Sequence, residues 1–221
     1  MTRVFIEGLP GAGKTTTSKI LTQKGLPVAR DFGLAQGAED YPGNGTSVDE
    51  ILAIDNWFID QEAERMKSDV GIFDRSYLGN LTYAYAYSRL LGLDSLKPTT
   101  EKYKHAIEIG KLALPEGLVY IDVDPELSIK RQHQRVSEGT PLLEEFWRDK
   151  GFLQDLRDSH VALFEACIDM PIITLDGEMN STAVARDIAS FYISLESTPP
   201  TSESQLLLDA YLANLEKLHD L

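Results

Sequence analysis

A single cysteine, Cys167, occurs in the 221 residues. One thiol cannot close an intramolecular disulfide, which excludes a disulfide-stapled scaffold and predicts a reducing, cytoplasmic setting. Long apolar runs are also missing. No window approaches the ~18 consecutive apolar residues of a membrane span. The N-terminus, MTRVFIEGLPGAGK, lacks the basic-then-apolar pattern of a signal peptide. Cations are scarce: 21 Lys and Arg against 35 Asp and Glu leave a net charge of −14. That deficit excludes a general nucleic-acid binder, which needs a cationic face against phosphates, yet leaves room for one local basic pocket. His105, His133, His160 and His219 are scattered without metal-ligand spacing, so no zinc site is expected. No serine–histidine–acid order is recognisable.

Hydrophobic residues make 43% of the chain, enough to bury a core. Short apolar strands are expected at 4–6, 26–29, 70–73, 118–121 and 172–175. Helices are expected at 14–24, 47–67, 77–91, 99–113, after Pro125, at 151–168 and at 181–195. Strands alternating with helices predict an α/β domain with a parallel sheet and right-handed crossovers. Residues 32–47, rich in Gly, Asp, Asn and Pro, read as a long loop, and such loops are usually functional or disordered. Residues 1–195 are expected to form the main domain. Residues 196–203 read as a linker. Within 204–221, Leu208, Tyr211, Leu212, Leu215 and Leu218 mark one helical face, which must bury itself on its own domain or on a second copy.

One motif carries most of the chemistry. Gly8, Leu9, Pro10, Gly11, Ala12, Gly13, Lys14 and Thr15 fit G-x-x-x-x-G-K-[ST], between an apolar strand and a helix. Glycines let the backbone wrap an anion, and the N–H groups with the helix N-terminus hold phosphates. Lys14 is placed to reach the β- and γ-phosphates of ATP, the Thr15 hydroxyl to ligate Mg²⁺, and Thr16 to extend the loop.

Ligands of open α/β sheets sit beyond the carboxyl ends of the strands. Glu7 ends the first strand and Asp74 the third, so both face that crevice if the strands are neighbours. Asp74 is read as the second Mg²⁺ anchor or as a helix N-cap. Glu7 is either a base toward a hydroxyl substrate or an ion-pair partner of Arg75 or Lys14. Arg75 either pairs with Glu7 or contacts a substrate phosphate.

Arg131 and Arg135, four apart, share a helical face. They either offset charge on a transferring phosphoryl group or lie on a solvated surface. Trp57, Phe58 and Gln61 are read as facing the acceptor side, and Tyr77, Tyr83, Tyr85 and Tyr87 cluster after Asp74. These aromatics stack on a base or pack the core.

Three blocks resemble the thymidylate kinase and deoxynucleoside kinase group of P-loop kinases. They are residues 5–17, residues 73–85 beginning Phe-Asp-Arg-Ser-Tyr, and residues 119–126 with Arg131 and Arg135 after them. The resemblance implies a P-loop NTPase fold whose five-stranded parallel sheet runs 2-3-1-4-5, with an arginine-bearing lid near 131–150. It implies phosphoryl transfer from ATP with Mg²⁺ to a nucleoside or nucleoside monophosphate, with Glu7 as base, Asp74 as the metal-associated acid and Arg75 as the arginine after it. Two departures stand out: Pro10 occupies a loop position that thymidylate kinases usually fill with a charged residue, and Thr82-Tyr83-Ala84 replaces their A-Y-Q triplet. Another small hydroxyl acceptor and a non-catalytic nucleotide-binding regulator remain alternatives. A homodimer is possible.

Overall fold

The computed structural model describes residues 2–30, 43–139, 144–197 and 205–219. Most of the 32–47 loop, the middle of the lid and most of the linker lie outside them.

Five strands form one parallel sheet: β1 (Val4–Glu7), β2 (Val28–Ala29), β3 (Ile72–Asp74), β4 (Gly117–Asp122) and β6 (Ile172–Asp176), in the order β2-β3-β1-β4-β6. The order differs from the expected 2-3-1-4-5 only because a two-residue strand, β5 (Cys167–Ile168), precedes the last sheet strand. It pairs antiparallel with β7 (Gln205–Leu206) in a separate ribbon. The helix expected over 151–168 is shorter at its C-terminal end: α6 (Lys150–Glu165) stops before the ribbon.

Alternation along the strands builds two cores. Phe5, Phe73, Leu118 and Tyr120 point to one face and pack with α3 (Tyr77–Leu91), α4 (Leu96–Glu108) and α6. Val4, Ile6, Ile72, Val119 and Ile121 point to the other, against α1 (Lys14–Gln23) and α7 (Ser181–Glu196). The fourth helix begins at Leu96 and ends at Glu108, earlier than expected, with Gly110 in the left-handed region just beyond it. The remaining helices are α2 (Val48–Arg65), α5 (Pro125–Ser137) and α8 (Leu208–His219).

Helix α8 packs on α6 and α4 of its own chain. Leu208, Tyr211 and Leu215 are buried, whereas Leu218 at the end of the stripe is exposed. The Tyr211 hydroxyl lies 2.7 Å from Ser159 Oγ and donates to the Leu81 carbonyl at 3.1 Å. No helix among the described residues is long and apolar enough to cross a membrane.

Candidate active site at the carboxyl edge of the sheet

Parallel pairing sets Ile6 beside Asp74 and Glu7 beside Tyr120, so the acids ending β1 and β3 share one edge with the glycine-rich loop. Gly8, Gly11 and Gly13 all have positive φ. Gly8 has no room for a side chain: a Cβ would lie 2.4 Å from the Ile121 carbonyl oxygen. Leu9 and Ala12 turn into the core, and Thr16 is exposed. Gly13 caps α1, whose first residue, Lys14, curls back over the loop and donates to the Gly8 and Leu9 carbonyls at 2.5 and 2.9 Å. Its ammonium is thereby fixed at the mouth of an anion cradle, beside the positive end of α1.

Glu7 is almost completely buried, at 1% exposure. Burial raises its pKa from the ordinary carboxylate range to about 7, against the opposing pull of the Ser76 hydrogen bond, Lys14 and Arg75. The Ser76 hydroxyl donates to Glu7 Oε1 at 2.6 Å. Ser76 also N-caps α3 by accepting from the Leu78 N–H, so the capping alternative for Asp74 is replaced by Ser76. Gly79, one turn into α3, lets that helix approach Glu7: a Cβ there would lie 2.7 Å from Oε2. Asp74 is buried at the end of β3, and Thr15 is half-buried in the first turn of α1. The carboxylate and hydroxyl oxygens at this edge are the hard donors that suit Mg²⁺.

Three arginines converge beside the loop. The Arg135 pKa is lowered by desolvation and by the like charges of Arg75 and Arg131, although Arg135 is largely exposed. Arg131 braces backbone, donating to the Gly11 carbonyl at 3.1 Å and the Gly177 carbonyl at 2.8 Å. Arg75 follows Asp74 in a left-handed conformation with φ +62°. The charges of Lys14 and Arg75 are also felt by His160, whose pKa falls to about 3 chiefly because it is buried.

Ser128, Gln132 and Arg65 gave no sequence signal. Ser128 Oγ donates to the Pro10 carbonyl at 2.6 Å, and Gln132 Nε2 to the Trp147 carbonyl at 2.7 Å, tying the loop tip and the segment around Trp147 to α5. The aromatic cluster is packed with itself. Tyr83 stacks on Tyr87 at 5.2 Å and on Trp147 at 5.1 Å, while Tyr77 and Tyr85 lie in the core. Trp57 and Phe58 meet edge to face and are half-buried. Gln61 lines a groove of about 510 Å³ with Arg3, Lys67 and Lys111, and Arg3 precedes β1 at the edge opposite the phosphate loop. Tyr87 donates to the Gly45 carbonyl, and Asn44 to Glu144, so the end of the 32–47 loop meets α3 and the segment at Glu144.

Comparisons with known proteins agree with this geometry. The thymidylate kinases of Thermoanaerobacter sp. (strain X514) and Thermoanaerobacter pseudethanolicus are each 25% identical to the chain over 207 residues, covering 84% of it and 94% of their own length. Among solved structures, the deoxyadenosine kinase of M. mycoides with bound dCTP superposes with a TM-score of 0.65 at 18% identity, over 87% of this chain and all of that one. The same kinase with dCMP and a flexible dCDP gives 0.64 over 88%. The resemblance read from the sequence to the thymidylate and deoxynucleoside kinase group therefore stands. Residues 3–149 match the family described as the AAA domain, and the chain belongs to that family.

Proposed function

We propose that the protein transfers the γ-phosphoryl group of ATP to a (deoxy)nucleoside or nucleoside monophosphate. One observation carries this reading: a buried carboxyl poised near neutrality, Glu7, sits beside a glycine cradle at which Lys14, Arg75, Arg131 and Arg135 converge. Phosphoryl transfer asks chiefly for positioning and for positive charge around the equatorial oxygens, and this edge supplies both.

Gly8 to Thr16 would hold the donor phosphates, with Lys14 toward their β- and γ-oxygens. Thr15 and Asp74 would hold Mg²⁺, whose charge would offset that of the donor phosphates. Arg131 supports the loop through the Gly11 carbonyl, and Arg135 and Arg75 bring cations to the acceptor side. Glu7 takes a proton from the acceptor hydroxyl, for which a pKa near the working pH is suited. The buried base supports a nucleoside hydroxyl over a monophosphate, which needs no base. Pro10 and Thr82-Tyr83-Ala84 point the same way, since both depart from the thymidylate kinase pattern.

The test is a panel of nucleosides and nucleoside monophosphates with ATP·Mg²⁺, run on wild type and Glu7→Gln. A hydroxyl acceptor predicts a loss in kcat of about 100-fold or more with little change in acceptor affinity. Full activity of Glu7→Gln on nucleosides would remove Glu7 as base.

A further inference from the structure

Arg75 adopts a conformation that side-chain-bearing residues rarely take, and its charge acts on Arg135 as well as on the buried Glu7 carboxyl. Such backbones persist where their surroundings over-determine them. The Arg75 N–H donates to the Ile6 carbonyl at 3.0 Å, which ties one side of the residue to β1. The other side is held by Arg65, at the end of α2.

Arg65 spreads its terminal N–H groups over four partners. One terminal nitrogen donates to the Arg75 carbonyl at 2.5 Å and to Glu62 Oε1 at 3.0 Å, with Glu62 Oε2 in ion-pair contact at 2.8 Å. The other donates to the Arg30 carbonyl at 3.0 Å and, more weakly, to the Asp74 carbonyl at 3.4 Å. The guanidinium carbon lies 5.0 Å from the centre of the Phe73 ring. The Glu62 side chain is fully buried and that of Arg65 only 9% exposed.

A buried ion pair is weak evidence for stability, because desolvation offsets much of the attraction. This one is aimed at backbone carbonyls beyond the ends of β2 and β3, at the lip of the crevice. A cation cluster that awaits an anion must be held together against its own repulsion before the anion arrives, or the ordering cost falls on binding. Resting on the phosphate-binding reading of this site, we infer that Arg65, fixed by Glu62, is the positioning residue that locks the Asp74–Arg75 backbone and holds the Arg75 guanidinium in the cationic cluster. The planar fork is required, since a lysine ammonium cannot reach these carbonyls together.

The test measures inorganic tripolyphosphate binding by calorimetry, which needs no turnover, alongside the melting temperature. Arg65→Met alone would strand a buried carboxylate, so the paired variant Glu62→Gln/Arg65→Met removes both charges. Arg65→Lys, which keeps a cation beside Glu62, carries the same comparison if the paired variant does not fold. The expected result is a loss in affinity of about tenfold for either Arg65 variant and for Arg75→Ala. Combining an Arg65 variant with Arg75→Ala should give no more loss than Arg75→Ala alone. Wild-type affinity in a folded Arg65 variant, or losses that multiply, would overturn the inference. A wild type that binds tripolyphosphate but transfers nothing from ATP would defeat the kinase reading and leave this test standing.

Discussion

Ser76 donates to Glu7 Oε1 at 2.6 Å while its oxygen accepts from the Leu78 N–H. The hydroxyl that starts α3 is therefore also the group that orients the buried carboxylate. The position of Glu7 and the start of α3 are one structural event, and the positive end of α3 faces the acid.

Activity should follow the ionisation of Glu7. With its pKa near 7, kcat/KM on a hydroxyl acceptor should fall about tenfold per pH unit below that value, as the base takes up a proton. The stability consequence has the opposite sense. The folded carboxyl binds its proton more tightly than the unfolded one, so stability is fullest below the ordinary value of 4.5 and declines as pH rises through 7. Glu7→Gln should gain melting temperature over wild type at pH 8 and little at pH 4, as calorimetry at both pH values would show.

Gly79→Ala separates activity from folding. Alanine is the better helix former by about 1 kcal/mol, but its Cβ would lie 2.7 Å from Glu7 Oε2. Displacing that carboxylate should lower kcat by about tenfold or more without a matching fall in melting temperature. A fully active Gly79→Ala enzyme would show that Glu7 need not hold this position.

His160 governs part of the acid limb. Its ring stacks on Tyr120, Nδ1 lies 2.8 Å from the Leu156 carbonyl and Nε2 lies 3.3 Å from Thr82 Oγ1. Burial holds its pKa near 3, below the ordinary 6.5. A depressed histidine favours folding above 6.5, and that contribution drains away as pH falls from 6.5 toward 3. His160→Gln should lose less stability than wild type between pH 6.5 and 4, measured by urea unfolding across that range.

The phosphate loop was legible because its geometry is written in residue type: glycines stand where φ is positive, and lysine opens the helix. Asp74 was legible as an acid ending an apolar strand. The Arg65 clamp was not, because Glu62 and Arg65, three apart, look in sequence like a surface pair, and three of the four partners are backbone carbonyls. The bracing contacts of Arg131 were hidden for the same reason: its acceptors are carbonyls 120 and 46 residues away. Strands β5 and β7 are two residues each, too short for any alternation to register. The groove that Gln61 lines with Arg3 was not legible, because periodicity gives the face of a helix but not which edge of the sheet that face meets.

The C-terminal helix should act as a stabilising strap. Tyr211 is fully buried and bonded to α6 and α3 through Ser159 and the Leu81 carbonyl. Tyr211→Ala should destabilise by about 3–5 kcal/mol, as large aromatic truncations in cores do. Tyr211→Phe, losing only the hydroxyl, should cost about 1 kcal/mol. Chemical denaturation checks both values.

The central claim is phosphoryl transfer at this edge, with Lys14 supplying charge to the donor phosphates. The most direct measurement follows label from γ-phosphate-labelled ATP into nucleosides and nucleoside monophosphates, using wild type and Lys14→Ala. The account predicts a labelled product with at least one acceptor, and a loss of about 100-fold or more in a Lys14→Ala protein that remains folded. No labelled product from any acceptor, or undiminished transfer by folded Lys14→Ala, would contradict it.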